Sequence, residues 1–221
     1  MRLAWFLMVA SCLSLSTQAG ELSGELRLRS GDALLRVSES QEAVIYFRSR
    51  APMQATTRDT PYLMSTRRKQ FSPRILTITA GDSVRFPNED PILHNVFSLS
   101  PENAFDTGQY GQGEGRTTEF RKPGLVRVYC NVHHSMYGFI LVLDTPFHTR
   151  TDSLGRFKLT DLPDGEGELV VFHDRGAPLR QKVVVDQNAP MALTLELNRR
   201  KVPAHTNKFG KPYSRSTNAS Y

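Results

Sequence analysis

Val126-Arg127-Val128-Tyr129-Cys130-Asn131-Val132-His133-His134-Ser135-Met136-Tyr137-Gly138-Phe139-Ile140-Leu141-Val142 is the stretch on which the reading of this chain of 221 residues turns. A β-type run rich in Val and Tyr ends at Cys130, and another begins after Met136. Between them lies C-x-x-H-x-x-M, so a thiol, an imidazole and a thioether share one short loop joining two strands. Such a loop can fold three donors around a single point. Cys, His and Met are soft or borderline ligands, a set that selects copper over magnesium or calcium. A second imidazole is expected from a distant strand, and His94, at the start of the β-type run in Leu93-His94-Asn95-Val96-Phe97-Ser98, is the candidate. Two histidines and a thiolate in a plane, with a weak axial Met136, describe a blue-type copper site. Taken singly, each residue has a plainer reading: a Cys in a strand is usually a small buried hydrophobe. Structural zinc would require a fourth Cys or His in tetrahedral geometry, and His134 keeps that alternative open.

The cysteine count supports a metal-bound thiol. Cys12 lies in a segment with the pattern of a signal peptide over residues 1–19: Arg2, an apolar Leu3–Leu15 run and Thr17-Gln18-Ala19 as a small-x-small cleavage site. The run is shorter than the about 20 residues needed to span a membrane. Val9-Ala10-Ser11-Cys12 offers a rival reading, a lipid anchor on Cys12. Cleavage after Ala19 would leave Cys130 as an odd thiol in an exported, periplasmic protein, where thiols normally pair.

Ile75–Ala80, Gly81-Asp82-Ser83-Val84-Arg85-Phe86-Pro87-Asn88, His94-Asn95-Val96-Phe97-Ser98, Lys122-Pro123-Gly124 and Tyr129–Met136 together resemble the cupredoxins. The short ligand loop is most similar to that of amicyanin; plastocyanin and pseudoazurin have a longer His-to-Met spacing. The resemblance covers about Thr56–Asp144. It implies His94, Cys130 and His133 as equatorial copper ligands, Met136 as the axial one, and Asn95 as a residue that stiffens the site by hydrogen bonding across the ligand loops. His134 departs from the pattern, since amicyanin has proline there.

β-type runs recur along the whole chain, separated by turn signals such as Ala80-Gly81-Asp82 and Pro163-Asp164-Gly165, and no long stretch carries the 3.6-residue apolar period. Thr149–Leu162, Leu162-Pro163-Asp164-Gly165 and Leu169-Val170-Val171-Phe172-His173 resemble a carboxypeptidase regulatory-like β-sandwich. The opening elements of such a module are missing before Thr149, but they occur at Ser23–Leu28 and Ala43–Phe47. The expected fold is therefore all-β: a cupredoxin Greek-key β-sandwich or barrel plus a small carboxypeptidase regulatory-like β-sandwich. The copper domain, 53–144, is expected as an insertion in a sandwich formed by 20–52 plus 145–198. A cupredoxin with N-terminal decoration and a separate C-terminal domain is the alternative.

The chain has 39% hydrophobic and 23% charged residues, which excludes wholly disordered and polytopic membrane classes. Its formal charge of +6 is concentrated in residues 199–221, expected as a disordered basic tail that is either a solvated end or an electrostatic contact with an acidic partner or anionic surface. The body is near neutral, so nucleic acid is not the expected partner. Gly-rich Asp106–Arg116 lacks the Gly-Lys-Ser/Thr ending of a phosphate cradle and is expected as a flexible connector near the copper end. Leu93, Val96, Val132, Tyr137 and Phe139 are candidates for the apolar shell of the Cys130 sulfur, with Val96 and Phe139 read first as ordinary core.

The expected role is one-electron transfer between redox proteins through copper held by His94, Cys130, His133 and Met136; the resemblance to the cupredoxins implies the His133 edge as the electron exit. An oxidase or nitrite reductase would need further metal centres, and outside this region only His148, His173 and His205 remain. Copper carriage or sensing, and a binding module in which the copper domain is structural, are the other readings.

Overall fold

The structure is a computed structural model and describes residues 20–213 apart from 38, 40–42, 52, 54–55, 186–189 and 199–204. The expected signal segment, with Cys12, lies outside the described residues. Every named element is a strand. The chain opens on β1 (Gly20–Ser30), β2 (Ala33–Leu34) and β3 (Val44–Ser49). It continues through β4 (Tyr62–Leu63), β5 (Ser65–Arg67), β6 (Gln70–Ser72), β7 (Ile75–Thr79), β8 (Ser83–Asn88) and β9 (His94–Ser98). Then follow β10 (Phe105–Tyr110), β11 (Gly113–Glu119), β12 (Gly124–Tyr129) and β13 (Tyr137–Leu143). It closes with β14 (His148–Arg150), β15 (Arg156–Leu162), β16 (Glu166–Phe172), β17 (Leu179–Val184) and β18 (Met191–Glu196). The molecule is all-β, as expected.

Four sheets result. Two draw only on the two ends of the described chain: β15-β1-β18, with β2 on β1, and β14-β3-β16-β17. Two draw only on its middle: β10-β9-β12-β13-β7, and β11-β8-β5-β6 with β4 on β8. Most neighbours run antiparallel, but β1 pairs with β18, β13 with β7, and β4 and β5 each with β8 in parallel.

Side-chain alternation stacks these sheets into layers. Ile45 and Phe47 of β3, with Leu169 and Val171 of β16, join Leu22, Leu26, Phe157 and Leu193 in one core. Their neighbours on the opposite face, Val44, Tyr46, Val170 and Phe172, pack against Ile75, Phe139, Leu141 and Leu143 in a second. The inward residues Ile140 and Val142 of β13 meet Ile78, Val84, Phe86, Val96 and Val126 in a third, which contains Cys130 and Met136. Strands β3, β13 and β16 are thus buried on both faces. That is why Ala43–Phe47, Phe139–Leu143 and Leu169–Phe172 are continuous apolar runs rather than alternating ones.

Asp106–Arg116 is not a flexible connector: it supplies most of β10 and the start of β11. Its glycines serve irregular pairing, with register shifts between Asp106 and Gln109 and between Gly113 and Arg116. Gly115 has φ 74°, and a Cβ there would lie 1.7 Å from the Phe86 carbonyl oxygen. A bulge that brings two backbones this close requires glycine.

Part of the stretch expected as a free tail is ordered against the body. Asn207–Lys211 forms a turn in which Asn207 N–H donates to Lys211 O at 2.8 Å and Asn207 Oδ1 accepts from Phe209 N and Lys211 N at 3.0 and 3.1 Å. Aromatic rings at His205 and Tyr213, on either side of it, rest on the body, and their burial offsets the ordering of the chain.

Candidate metal centre

The β12–β13 ladder runs to the pair Tyr129–Tyr137, leaving residues 130–136 as the connecting loop. Met136 N–H donates to His133 O at 3.0 Å and Cys130 N–H to Met136 O at 3.4 Å, so the loop closes into a compact turn. His94 arrives from β9, the strand beside β12. Cys130 Sγ lies 3.7 Å from His94 Nδ1 and 3.9 Å from His133 Nδ1, and the two Nδ1 atoms are 3.2 Å apart. A point in the plane of that triangle is about 2.1 Å from all three corners, within the reach of metal–nitrogen and metal–sulfur bonds of about 2.0–2.3 Å. Among the described residues these three form the group able to hold a metal ion. Met136 is buried in the core that also holds Cys130. His94 and Cys130 are fully buried and His133 is half-buried, so the centre reaches solvent at the His133 side.

The surrounding groups fix the donors. Asn95 accepts from Asn131 N–H at 3.2 Å and donates through Nδ2 to Asp106 Oδ1 at 2.6 Å and Gly108 O at 3.1 Å, tying β9 to both the ligand loop and β10. Sequence reasoning missed Asp90. Its Oδ2 lies 2.9 Å from His94 Nε2, while the same carboxylate accepts from Arg68 N at 2.6 Å and Lys69 N at 2.9 Å. Arg68 and Lys69 have φ 51° and 56°, and Asp90 therefore holds the β5–β6 turn as well as the ring. A carboxylate on one imidazole nitrogen leaves the other as a lone pair for a metal and makes it a better donor. No local pattern announces Asp90; its closeness to His94 comes from the loop Asn88–Leu93, braced by Asn88 Nδ2 donating to Ile92 O at 2.8 Å.

Burial pushes the Cys130 thiol up, but hydrogen bonds from His94 and the backbones of Asn95, His133 and Val132 bring it below the ordinary thiol value. Burial depresses His94, and Cys130 and Asp90 outweigh it, leaving the imidazole raised. His133 is lowered by burial, with His94 and Lys69 adding to the effect. The lowered Cys130 favours the thiolate, the form in which cysteine binds metal.

His134 is not part of the donor group. Its ring stacks on Tyr213 with centroids 3.6 Å apart. Tyr137 does not shield the sulfur either, and Phe139 is ordinary core, as read first. They lie on the outward face of β13, in the core between the middle and outer sheets, because inward positions there fall on Met136, Ile140 and Val142. Val96 is core, while Leu93 and Val132 are exposed.

No family model matches the chain, and no curated protein matches it. Solved structures similar to part of it include a copper enzyme and cupredoxins. A copper-containing nitrite reductase from Thermus scotoductus shares 28% identity over 38% of this chain and 22% of its own, with a TM-score of 0.37. A purple cupredoxin from Nitrosopumilus maritimus shares 21% over 37% of this chain and 99% of its own, at 0.34. A reduced amicyanin variant shares 19% over 45% of this chain and 98% of its own, at 0.36. The fold and site define an all-β protein with a His-Cys-His metal centre, and its structure neighbours include cupredoxins. The donor set supports copper as its cofactor.

Among the described residues, no helix is long and apolar enough to cross a membrane.

Proposed function

We propose that the chain is an exported, periplasmic type 1 copper protein that carries single electrons between redox proteins and is not itself an enzyme. The convergence of Cys130 Sγ, His94 Nδ1 and His133 Nδ1 on one point supports this reading. His94, Cys130 and His133 would hold the copper, with Met136 as a further, weaker thioether donor and Asn95 as the brace across the loops. Bound copper supplies one-electron chemistry by cycling between Cu(I) and Cu(II). The chain's own part is to hold its donors in one arrangement through that cycle, which the β9, β12 and β13 strands and the Asp90 and Asn95 hydrogen bonds do. Half-buried His133 and exposed Leu93 and Val132 offer a partner a small apolar contact of under about 1,200 Å², the size of transient redox encounters.

In this reading the middle sheets, within residues 53–144, are a cupredoxin domain inserted in a regulatory-like sandwich of 20–52 plus 145–198. The basic residues of 199–221 contribute attraction to an acidic partner or anionic surface.

The test is the visible and EPR spectrum after one equivalent of Cu(II). An intense blue band, bleached reversibly by reductant and lost in Cys130→Ser, is expected. An ordinary Cu(II) signal without a thiolate band would overturn it.

A further inference from the structure

Residues 205–213 return to the surroundings of the ligand loop and make four contacts with residues beside its donors. His205 lies flat on Tyr129, the residue before Cys130, with centroids 4.1 Å and planes 5° apart. Lys208 N–H donates to Asn131 Oδ1, in the residue after Cys130, at 3.1 Å. Lys208 Nζ lies 2.8 Å from Asp106 Oδ2. Tyr213 stacks on His134, the residue after His133. The contacts bracket the ligand loop on both sides.

Lys208 is where they join. Its ammonium holds one oxygen of Asp106, whose other oxygen accepts from Asn95 Nδ2; Asn95 Oδ1 in turn accepts from Asn131 N–H. Asn131 is therefore gripped twice: its N–H by Asn95 and its side chain by the Lys208 backbone. The Lys208 side chain is 25% exposed and that of Asp106 40%, so the pair alone contributes little to stability. What it supplies is a closed ring of hydrogen bonds through β9, β10 and the ligand loop. The Asn207–Lys211 turn presents Lys208 ready-formed for that ring, and a freely moving tail would not.

We propose that residues 205–213 form a strap that holds the copper-ligand loop in place, with Lys208 as the positioning residue that ties it to Asp106, Asn95 and Asn131. The proposal rests on the copper reading for its consequence and on the protein alone for its mechanical part. With the strap in place, the backbone of 130–136 resists the excursion that swings His133 away from Cys130 and His94. Loss of the tie frees that excursion, so a bound ion leaves faster.

The experiment compares the full chain with Lys208→Met, which keeps the stem and backbone N–H, Lys208→Arg, which keeps the charge, and Lys211→Met, a control cation on the same turn. Amide exchange across 130–136 is measured on the metal-free proteins, and Cu(I) transfer to a competing chelator on the loaded ones. In Lys208→Met, faster exchange confined to the loop is expected, with Cu(I) transfer about tenfold faster, as for loss of a hydrogen bond supporting a ligand. Lys208→Arg and Lys211→Met are expected to behave as the parent. Tyr213→Ala, which leaves Lys208 intact, is expected to loosen the same loop from its other side. Parent-like loop exchange and transfer in both Lys208→Met and Tyr213→Ala would overturn the strap. An equal effect of Lys211→Met would overturn the role of Lys208. A parent protein that fails to form the blue band would end the copper reading alone, because the metal-free exchange still decides the strap.

Discussion

Arg74, in the link between β6 and β7, reaches Asp174 just beyond β16, with Nη1 2.5 Å from Oδ2 and Nη2 3.4 Å from Oδ1. The pair joins the sheet that brings His94 and Cys130 together to the sheet packed on its outer face. Asp174 is almost wholly buried and the Arg74 side chain is 21% exposed. Removing one partner of a buried pair leaves a charge without compensation. Asp174→Ala is therefore expected to cost about 3 kcal/mol, the low end of the usual range of about 3–5 kcal/mol, because Arg74 keeps some water. Denaturant melts measure this, and a combined Arg74→Met, Asp174→Leu chain should lose less than the single variant. Equal losses would mean that the pair is not what joins the layers.

Asp90 is the second point of leverage. Asp90→Asn removes a negative charge from His94 Nε2 and keeps a side chain of nearly the same shape. Copper affinity is expected to fall about 10–100-fold. The reduction potential should rise, since a less basic His94 and a lost anion both favour Cu(I). Chelator competition and voltammetry check both, and unchanged values would remove Asp90 from the centre's support.

A pH dependence follows from His148, in β14. Burial, with Arg150 adding to it, holds its imidazole below the ordinary histidine value. The unfolded chain therefore takes up this proton first as pH falls. The stability due to the neutral ring is full above about pH 7 and is lost as pH drops through the unfolded value of about 6.5. Thermal melts of the metal-free chain between pH 7.5 and 5.5 should fall less for His148→Gln than for the parent. Parallel curves would assign the acid sensitivity to other groups.

Two glycines with positive φ separate backbone strain from steric conflict. Gly31 has φ 57° and open space where a Cβ would stand, whereas a Cβ at Gly115 would strike the Phe86 carbonyl. Gly31→Ala should cost about 1–2 kcal/mol, the penalty of the left-handed region. Gly115→Ala should cost more than that, since β8 and β11 must also part. Similar melts for the two would show that the bulge relaxes freely.

Much of the strand pattern was open to a reader of the sequence. β12 ends one residue before the expected thiol, and β13 begins just after the thioether. The signal was local: β-branched and aromatic runs punctuated by turns. The Gly-rich segment misled because glycine marks a bulge inside a strand as readily as a loop. Tyr137 misled because a strand with two buried faces does not reveal which face looks at the sulfur, whereas Phe139 is core, as read first.

The sequence by itself determined that Cys130, His133 and Met136 share a loop between two strands, because their spacing is covalent and the flanking residues favour extended chain. It also marked His94 as a candidate partner, since an imidazole opening a β-type run is a local fact. Only the tertiary structure decided that Asp90 holds His94, that Arg74 meets Asp174, and that His205, Lys208 and Tyr213 return to the ligand loop. Asp90 and His94 are only four residues apart and meet through the fold of the loop between them; the other contacts join residues of ordinary type across long stretches of chain. They exist because sheet pairing and layer packing bring those stretches together, and no spacing along the chain encodes them.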